Sequence, residues 1–498
     1  MLLGEGGMAE NTFYIKINKT NFEYDIHALL KAFYPEKDVK VVTPESTSLE
    51  RECENRFQAE ILFSKHGASM NLEGISYEWQ SICEVTEKRF KDGFKAFFYK
   101  SLQQHTGKSL PWGNLTGIRP TKIAYGMLDE GKSHEEITDF LCQEHFVSRK
   151  KAALSIDIAE REREILRGIH LNNDSEDNTG YSLYIGIPFC PTTCLYCSFT
   201  SYGIAAYRKT VNAYIDCLIK EMTKVSEMCR HKILDSVYIG GGTPTTLEPG
   251  QLDRLLCALK ELFPLEQVKE FTVEAGRADS ITKEKLEILY KHGVERISVN
   301  PQTMKQETLD MIGRRAGVSQ VLEAYAMARE TGFDNINMDL ILGLPGEDAF
   351  DVQRTIDQVV SLAPDSLTVH SLAIKRASRM NQWIQENGIS LLNNTEETMQ
   401  IAAEGAERLG MKPYYLYRQK NMSGNFENVG YAKPGKYGLY NILIMEEVQT
   451  IVALGAGAIT KRVYPDGRIE RCENVKDPAL YIEEIDEMIE RKHVLLND

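Results

Sequence analysis

No stretch of about 18 consecutive apolar residues occurs anywhere in this 498-residue chain, so no segment reads as a membrane-spanning helix. Internal repeats and low-complexity tracts are missing as well, which sets aside solenoids and repeat arrays. A cationic excess is also lacking. The 58 Lys and Arg against 72 Asp and Glu leave a formal charge of -14, whereas phosphate binding needs a concentrated cationic surface. Neither nucleic acid nor an anionic membrane is an expected partner, and any anionic substrate must meet a local basic site. A disulfide framework is absent too: outside one cluster, the ten cysteines are scattered through segments that read as helix or strand. The opening "MLLGEGGMAEN" is too short and too acidic for a secretory signal, so the expected compartment is a reducing cytoplasm. What the chain does have is a 42% hydrophobic content, enough for a large core shared among about two to four domains.

Texture divides the chain further. Residues 1–80 carry short apolar alternations ("TFYIKI", "DVKVV", "AEILFS") and one helical stretch from Asp25 to Tyr34, a small mixed α/β region. Residues 81–171 are helical in period, broken at "GKSLPWGNLTGIRPTK", where Arg119 and Lys122 sit in what reads as a helix-starting turn. The polar "NNDSEDNTG" at 172–180 is the clearest boundary. Over 181–376, six short apolar strands alternate with amphipathic helices, predicting an α/β fold with a parallel sheet, an open, partial (β/α)6 barrel. Residues 377–498 read as an α+β extension with a Tyr- and Gly-rich segment, a hairpin "TIVALGAGAITKRVYPDGRIERC" and a final charged helix.

The chemistry starts at "YIGIPFCPTTCLYCSFTSY", where Cys190, Cys194 and Cys197 follow the first strand of the series, on the loop at its carboxyl end. Parallel β-α folds place their active sites there. Structural zinc takes four ligands, and no fourth Cys or His lies within ligand-pair distance, although a three-thiol zinc site remains open. An iron–sulfur cluster fits better, because three thiolates leave one iron free to bind something else.

This C-x-x-x-C-x-x-C pattern, with Tyr196 just before the third cysteine, resembles the signature of radical S-adenosylmethionine enzymes. The resemblance implies a [4Fe–4S] cluster held by Cys190, Cys194 and Cys197, with S-adenosylmethionine chelated by the open iron and split into methionine and a 5′-deoxyadenosyl radical. Later strand ends offer groups suited to that cofactor. Gly240, Gly241, Gly242 and Thr243 expose backbone for the ammonium group. Glu274, Gln302 and Asp339 suit the ribose hydroxyls, and Arg314 suits the carboxylate.

More narrowly, "YIGIPFC", "GGGTPT", "VEAG", "NPQT", "IGRR" and "DLILGLPGE" resemble oxygen-independent coproporphyrinogen III oxidases. "WGNLTGIRPTKIAYG", "LAIKRAS" and "YYLYRQKNMSGNFENVGYAKPG" resemble the HemZ type. Within that family Tyr184 matches an aromatic close to the sulfonium, and Phe199 and Tyr196 match positions near the cofactors. Two departures stand out: Phe199 replaces a further cysteine of the best-understood members, and Gly186 replaces a histidine. A related branch of haem chaperones also reads C-x-F, but typically carries an H-N-x-x-Y-W motif where this chain has "LYNILIM", Leu439 to Met445.

The implied reaction is anaerobic decarboxylation of coproporphyrinogen III propionates to vinyl groups. Haem carriage, and radical chemistry on another tetrapyrrole such as haem, are the alternatives. The expected partners are a tetrapyrrole, an electron donor such as flavodoxin or ferredoxin, and an electron acceptor the sequence does not identify. Lys375, Arg376, Arg418 and Lys420, the last two beside Tyr414, Tyr415 and Tyr417, are candidate contacts for a flat polycarboxylate; His370 ends the sixth strand. Cys217, Cys229 and Cys257 read as buried or incidental thiols.

Overall fold

A computed structural model describes residues 12–46, 56–81, 86–117, 119–171, 179–199, 201–375, 378–419, 422 and 425–497. The N-terminal eleven residues, most of the 172–180 boundary, Arg376 and Lys420 lie outside the described residues. The chain forms two compact units, one of residues 1–157, 387–390 and 418–427, the other of residues 158–386, 391–417 and 428–498.

In the first unit, strands β1 (Thr12–Ile17), β2 (Asp38–Val42), β3 (Phe57–Phe63), β4 (Gly67–Leu72) and β5 (Ile75–Gln80) form a sheet in the order β2-β1-β3-β4-β5. Strand β1 is parallel to both neighbours, and the other pairs are antiparallel. The helix Glu87–Thr106 starts at Thr86, whose side chain accepts from Arg89 N, and stops at Gly107, which adopts φ 68°. Its Phe94, Phe98, Tyr99 and Leu102 are buried in the same core as Phe13, Ile15, Phe33 and Ile61. The helix therefore cannot be separated from the sheet, and the divide expected near residue 80 does not separate two cores. Arg119 O accepts from Lys122 N at the start of the helix Thr121–Asp129, the helix-starting turn expected of "GIRPTK".

The second unit is built on one sheet of eleven strands. Six lie side by side in sequence order, all parallel: β6 (Gly180–Ile187), β7 (Ile233–Gly241), β8 (Glu270–Gly276), β9 (Arg296–Val299), β10 (Ile336–Leu342) and β11 (Ser366–Ser371). Helices Val211–Met228, Pro249–Leu262, Lys283–Lys291, Val318–Thr331 and Ala349–Leu362 separate them. The strands are short and nearly continuously apolar because helices cover parallel sheets; Leu183, Ile185, Val237, Ile239, Val273 and Ile297 are fully buried.

Both ends of the sheet are extended. Strand β13 (Asn428–Ala432) adds antiparallel to β11, and β12 (Lys412–Tyr417) pairs antiparallel with β13, in the order β12-β13-β11. At the other end β14 (Thr450–Leu454) pairs parallel with β6, and β15 (Ile459–Val463) and β16 (Ile469–Glu473) continue antiparallel. The expected hairpin is thus a three-strand unit whose first strand is a seventh parallel member. Every strand among the described residues of 377–498 belongs to this one sheet. No helix among the described residues is long and apolar enough to cross a membrane.

Candidate active site

The three cysteines sit where β6 ends. There "GGGT" runs against the start of the loop: Gly242 N donates to Ile187 O (2.8 Å) and Thr243 N to Phe189 O (2.7 Å). Gly241 has φ 106°, and a Cβ on Gly242 would stand 2.5 Å from Phe189 O, so side chains are excluded by backbone geometry as well as by any ligand. The loop is clamped on its far side too. Leu195 N donates to Ile312 O (2.9 Å), Thr192 Oγ1 to Gly313 O (3.1 Å) and Arg379 Nη2 to Thr193 O (2.6 Å).

Cys190 and Cys194 are buried and Cys197 half-buried, and all three are free thiols. Cys190 Sγ lies 3.4 Å from Thr243 Oγ1. Arg277 Nη1 donates to Cys194 Sγ at 3.6 Å. Burial pushes the thiols of Cys190 and Cys197 up, and the neighbouring cysteines add to the shift.

A ring of polar groups lies at the carboxyl ends of the next strands. Glu274 accepts from Tyr238 Oη. Burial, followed by repulsion from Asp339 and against the Tyr238 hydrogen bond, pushes its carboxyl up to about 7. Asp339 accepts from Asn300 Nδ2 and Asn337 Nδ2, both at 2.7 Å, with His370 Nε2 at 3.9 Å. Burial alone would raise its pKa, but His370, the Asn337 hydrogen bond and the charge of Arg296 outweigh it and hold Asp339 below the usual carboxylate value. Gln302 is held at φ 68°, a left-handed conformation rare for a side chain of its size, by Gln302 N donating to Asp339 O and Ile341 N donating to Gln302 O, both 2.9 Å. Arg314 donates through Nη1 to Asn300 O (2.6 Å) and through Nη2 to Tyr196 Oη (3.3 Å). Two buried polar atoms in this ring, Arg314 Nε and Asn300 Oδ1, have no hydrogen-bond partner. Buried polar groups are normally paired, so these two are poised for a ligand.

Tyr184 lies 6.3 Å from Tyr238 and 6.1 Å from Tyr440, ring centre to ring centre, and Tyr238 stacks on Tyr440 at 4.4 Å. Phe199 is 70% exposed, with Lys375 Nζ 5.6 Å from its ring centre.

Several side chains here escape a reading of the sequence. Asn300 and Tyr440 come from segments already singled out and Tyr238 from the strand before "GGGTPT", but their part depends on tertiary neighbours. Arg277 carries a faint signal: an Arg-x-Asp immediately after a strand end. The expected tetrapyrrole contacts at Tyr414, Tyr415 and Arg418 are corrected by the structure. Both tyrosines are buried, with Tyr415 packed over Gly430, and Arg418 is itself buried and donates to Leu115 O, Asn425 O and Asn425 Oδ1. Their burial makes them core rather than contact surface. Tyr417 Oη lies 3.4 Å from His370 Nδ1, linking that strand to Asp339 through the imidazole. Among the scattered thiols Cys229 is buried, while Cys257 is exposed, its Sγ 4.0 Å from His292 Nε2. That nitrogen contacts Asp253 Oδ1 at 2.7 Å, and Lys291 Nζ lies 3.5 Å from the same oxygen, so the group satisfies itself.

Comparison with known proteins agrees with this geometry. Residues 184–359 match the Radical SAM superfamily model. The oxygen-independent coproporphyrinogen-III oxidase-like protein HemZ of Bacillus subtilis is 40% identical over 409 residues, 81% of either chain. The heme chaperone HemW of the same organism is 32% identical over 280 residues, 56% of this chain and 70% of that one. Among solved structures, coproporphyrinogen III oxidase HemN of Escherichia coli aligns with TM-score 0.50 at 21% identity, over 65% of this chain and 75% of that one. Radical SAM proteins use a [4Fe–4S] cluster and S-adenosylmethionine. The donors fit both groups: three free thiols on one clamped loop, a glycine-lined backbone edge, and two orphaned polar atoms among carboxylates and a guanidinium. The chain belongs to the HemZ-type, oxygen-independent coproporphyrinogen-III oxidase-like family of radical SAM proteins.

Proposed function

We propose that this protein decarboxylates the propionate side chains of coproporphyrinogen III to vinyl groups without oxygen, forming protoporphyrinogen IX in the cytoplasm. The observation that carries the reading is the clamped three-thiol loop facing the polar ring of Glu274, Gln302, Arg314 and Asp339. The substrate comes from the 40% identity to the HemZ protein over most of both chains. Cys190, Cys194 and Cys197 would hold the cluster. The Gly240–Thr243 backbone would receive the ammonium of S-adenosylmethionine, Arg314 its carboxylate, and Glu274, Gln302 and Asp339 its ribose. Tyr184 would line the wall beside the sulfonium, with Tyr196 holding Arg314 from the inner side of the loop and Phe199 at its outer side.

When bound, the two cofactors supply a hydrogen-atom abstractor generated by one-electron reduction. Such chemistry is needed because the β C–H of a propionate is beyond any side-chain base. Each propionate gives up one hydrogen atom, one electron and carbon dioxide to become vinyl, so the reaction requires an electron acceptor as well as a low-potential donor of the flavodoxin or ferredoxin class. The protein's own part is positioning and exclusion of water. The stacked Tyr184, Tyr238 and Tyr440 rings wall the interior, and Lys375, half-buried beside the Cys197 thiol with its ammonium pKa pushed down by burial, is a local cation for a carboxylate.

The test is anaerobic. The reconstituted protein is given S-adenosylmethionine, a strong reductant and coproporphyrinogen III, and 5′-deoxyadenosine and porphyrin products are followed by mass spectrometry. Loss of carbon dioxide in step with 5′-deoxyadenosine supports the proposal. If 5′-deoxyadenosine forms while coproporphyrinogen is untouched, the substrate is a different tetrapyrrole, haem being the next to try.

A second reading, haem carriage, is favoured by the 32% identity to HemW. Against it, Leu439–Glu446 is a helix whose Tyr440 stacks on Tyr238 where the chaperone motif would stand. A carrier binds haem stoichiometrically and passes it on without consuming S-adenosylmethionine.

A further inference from the structure

Two guanidinium groups act on Cys194. Arg314 has a use in holding S-adenosylmethionine; Arg277 has none in the reaction as described. Arg277 follows β8, the strand that carries Glu274, and is only 4% exposed. Its Nε and Nη2 grip both oxygens of Asp279 at 3.0 and 2.7 Å. Its Nη1 donates to Thr192 O at 2.9 Å and to Cys194 Sγ at 3.6 Å. The side chain is therefore fixed at every nitrogen, with one N–H aimed at a candidate cluster sulfur.

A cluster that accepts an electron gains one negative charge. Here that charge would arrive among three thiolates, with the carboxyl groups of Glu274 and Asp339 in the same polar ring and in a chain of net charge -14. Hydrogen bonds and positive charge at ligand sulfur offset this cost and raise the reduction potential, and burial strengthens the effect by lowering the local dielectric. We propose that Arg277, set by its counter-ion Asp279, is the positioning residue that tunes the cluster: its N–H to the Cys194 thiolate raises the reduction potential into reach of a low-potential one-electron donor. The step is a single electron passing from donor to cluster, and no bond to the protein is made or broken.

This inference rests on Cys190, Cys194 and Cys197 holding the cluster, and it is read without substrate turnover. The reconstituted wild type, Arg277→Gln and Asp279→Asn are compared for iron and sulfide content, for visible absorbance and for midpoint potential in an electron-paramagnetic-resonance redox titration. Arg277→Gln keeps a donor for Thr192 O but loses the charge. At the wild-type midpoint its ratio of reduced to oxidised cluster is expected to fall at least tenfold, about 59 mV for one electron. Asp279→Asn leaves the guanidinium without its counter-ion, so its midpoint is expected to rise. A residue that merely braces the loop cannot give shifts of opposite sign. Full cluster content with unchanged potentials, or shifts in one direction, overturns the proposal. If Arg277→Gln fails to hold a cluster, Asp279→Asn decides alone: a rise supports the proposal, and no change or a fall overturns it. A wild type that takes up no cluster overturns the ligand assignment and this inference together.

Discussion

The aromatic core of the first unit and the carboxyl edge of the long sheet bury different chemistry. In the first, Phe22, Phe63, Phe94 and Phe98 meet ring to ring at 4.2 to 5.7 Å, packed with the aliphatic side chains of β1 and β3. At the end of β8, β9 and β10 the interior instead holds Glu274, Arg277, Arg314 and Asp339, with two polar atoms unpaired. Apolar packing stabilises a fold by itself, whereas buried charge costs free energy unless it is matched. The difference separates a cluster that serves stability from one that serves a ligand, and mutations in the two should sort accordingly.

The largest effect is expected on the ligand side. Replacing Cys190, Cys194 or Cys197 by Ala should abolish the brown cluster absorbance outright while circular dichroism retains the helical signal, because the loop hangs from an independently packed sheet. Absorbance that survives in all three variants breaks the comparison at its root. On the other side, Phe94→Ala should cost about 3 to 5 kcal/mol of stability, read by urea denaturation, and leave cluster content per folded molecule unchanged. Next in size, Arg314→Ala should weaken S-adenosylmethionine binding by about 2 to 3 kcal/mol in isothermal titration, the scale of a charge-assisted hydrogen bond left unmade. Unchanged affinity would remove Arg314 from the site.

An effect of similar size, spread over several pH units, sharpens the contrast. Glu274, raised from 4.5 to about 7 mainly by burial, favours its neutral form in the folded chain. Its contribution to stability is full below about pH 4.5 and lost as pH rises through 7, a loss of up to roughly 3 kcal/mol. In the cofactor-free protein, Glu274→Gln should remove that decline, so the urea midpoint of the variant should gain on the wild type between pH 5 and 8. A parallel pair of pH profiles would mean that Glu274 is not desolvated.

Much of this was legible in the residues. Six parallel strands are short apolar runs between amphipathic helices, the cysteines announce themselves by spacing, and Glu274 and Asp339 stand at strand ends. What was hidden depends on distant partners. "TIVAL" reads as one arm of a hairpin because periodicity reports a strand without its neighbour, and here the neighbour is β6. Arg277 reaches a sulfur 83 residues earlier in the chain, a contact no local pattern encodes. Gln302 shows its unusual φ only once β10 fixes its backbone from both sides. Tyr414 and Tyr415 looked like a flat receptor because an aromatic cluster has the same composition whether exposed or buried.

The pairing of β14 with β6 also dictates a schedule. A ribosome releases β6 and the cysteine loop first, and Leu454, the partner of Ile185, emerges only after all the other parallel strands have been made. Until then one edge of β6 keeps its row of unpaired N–H and C=O groups open, a template for pairing with other nascent chains. The cysteine loop thus hangs from a strand that is completed late, and the closing piece of its scaffold arrives long after the loop itself.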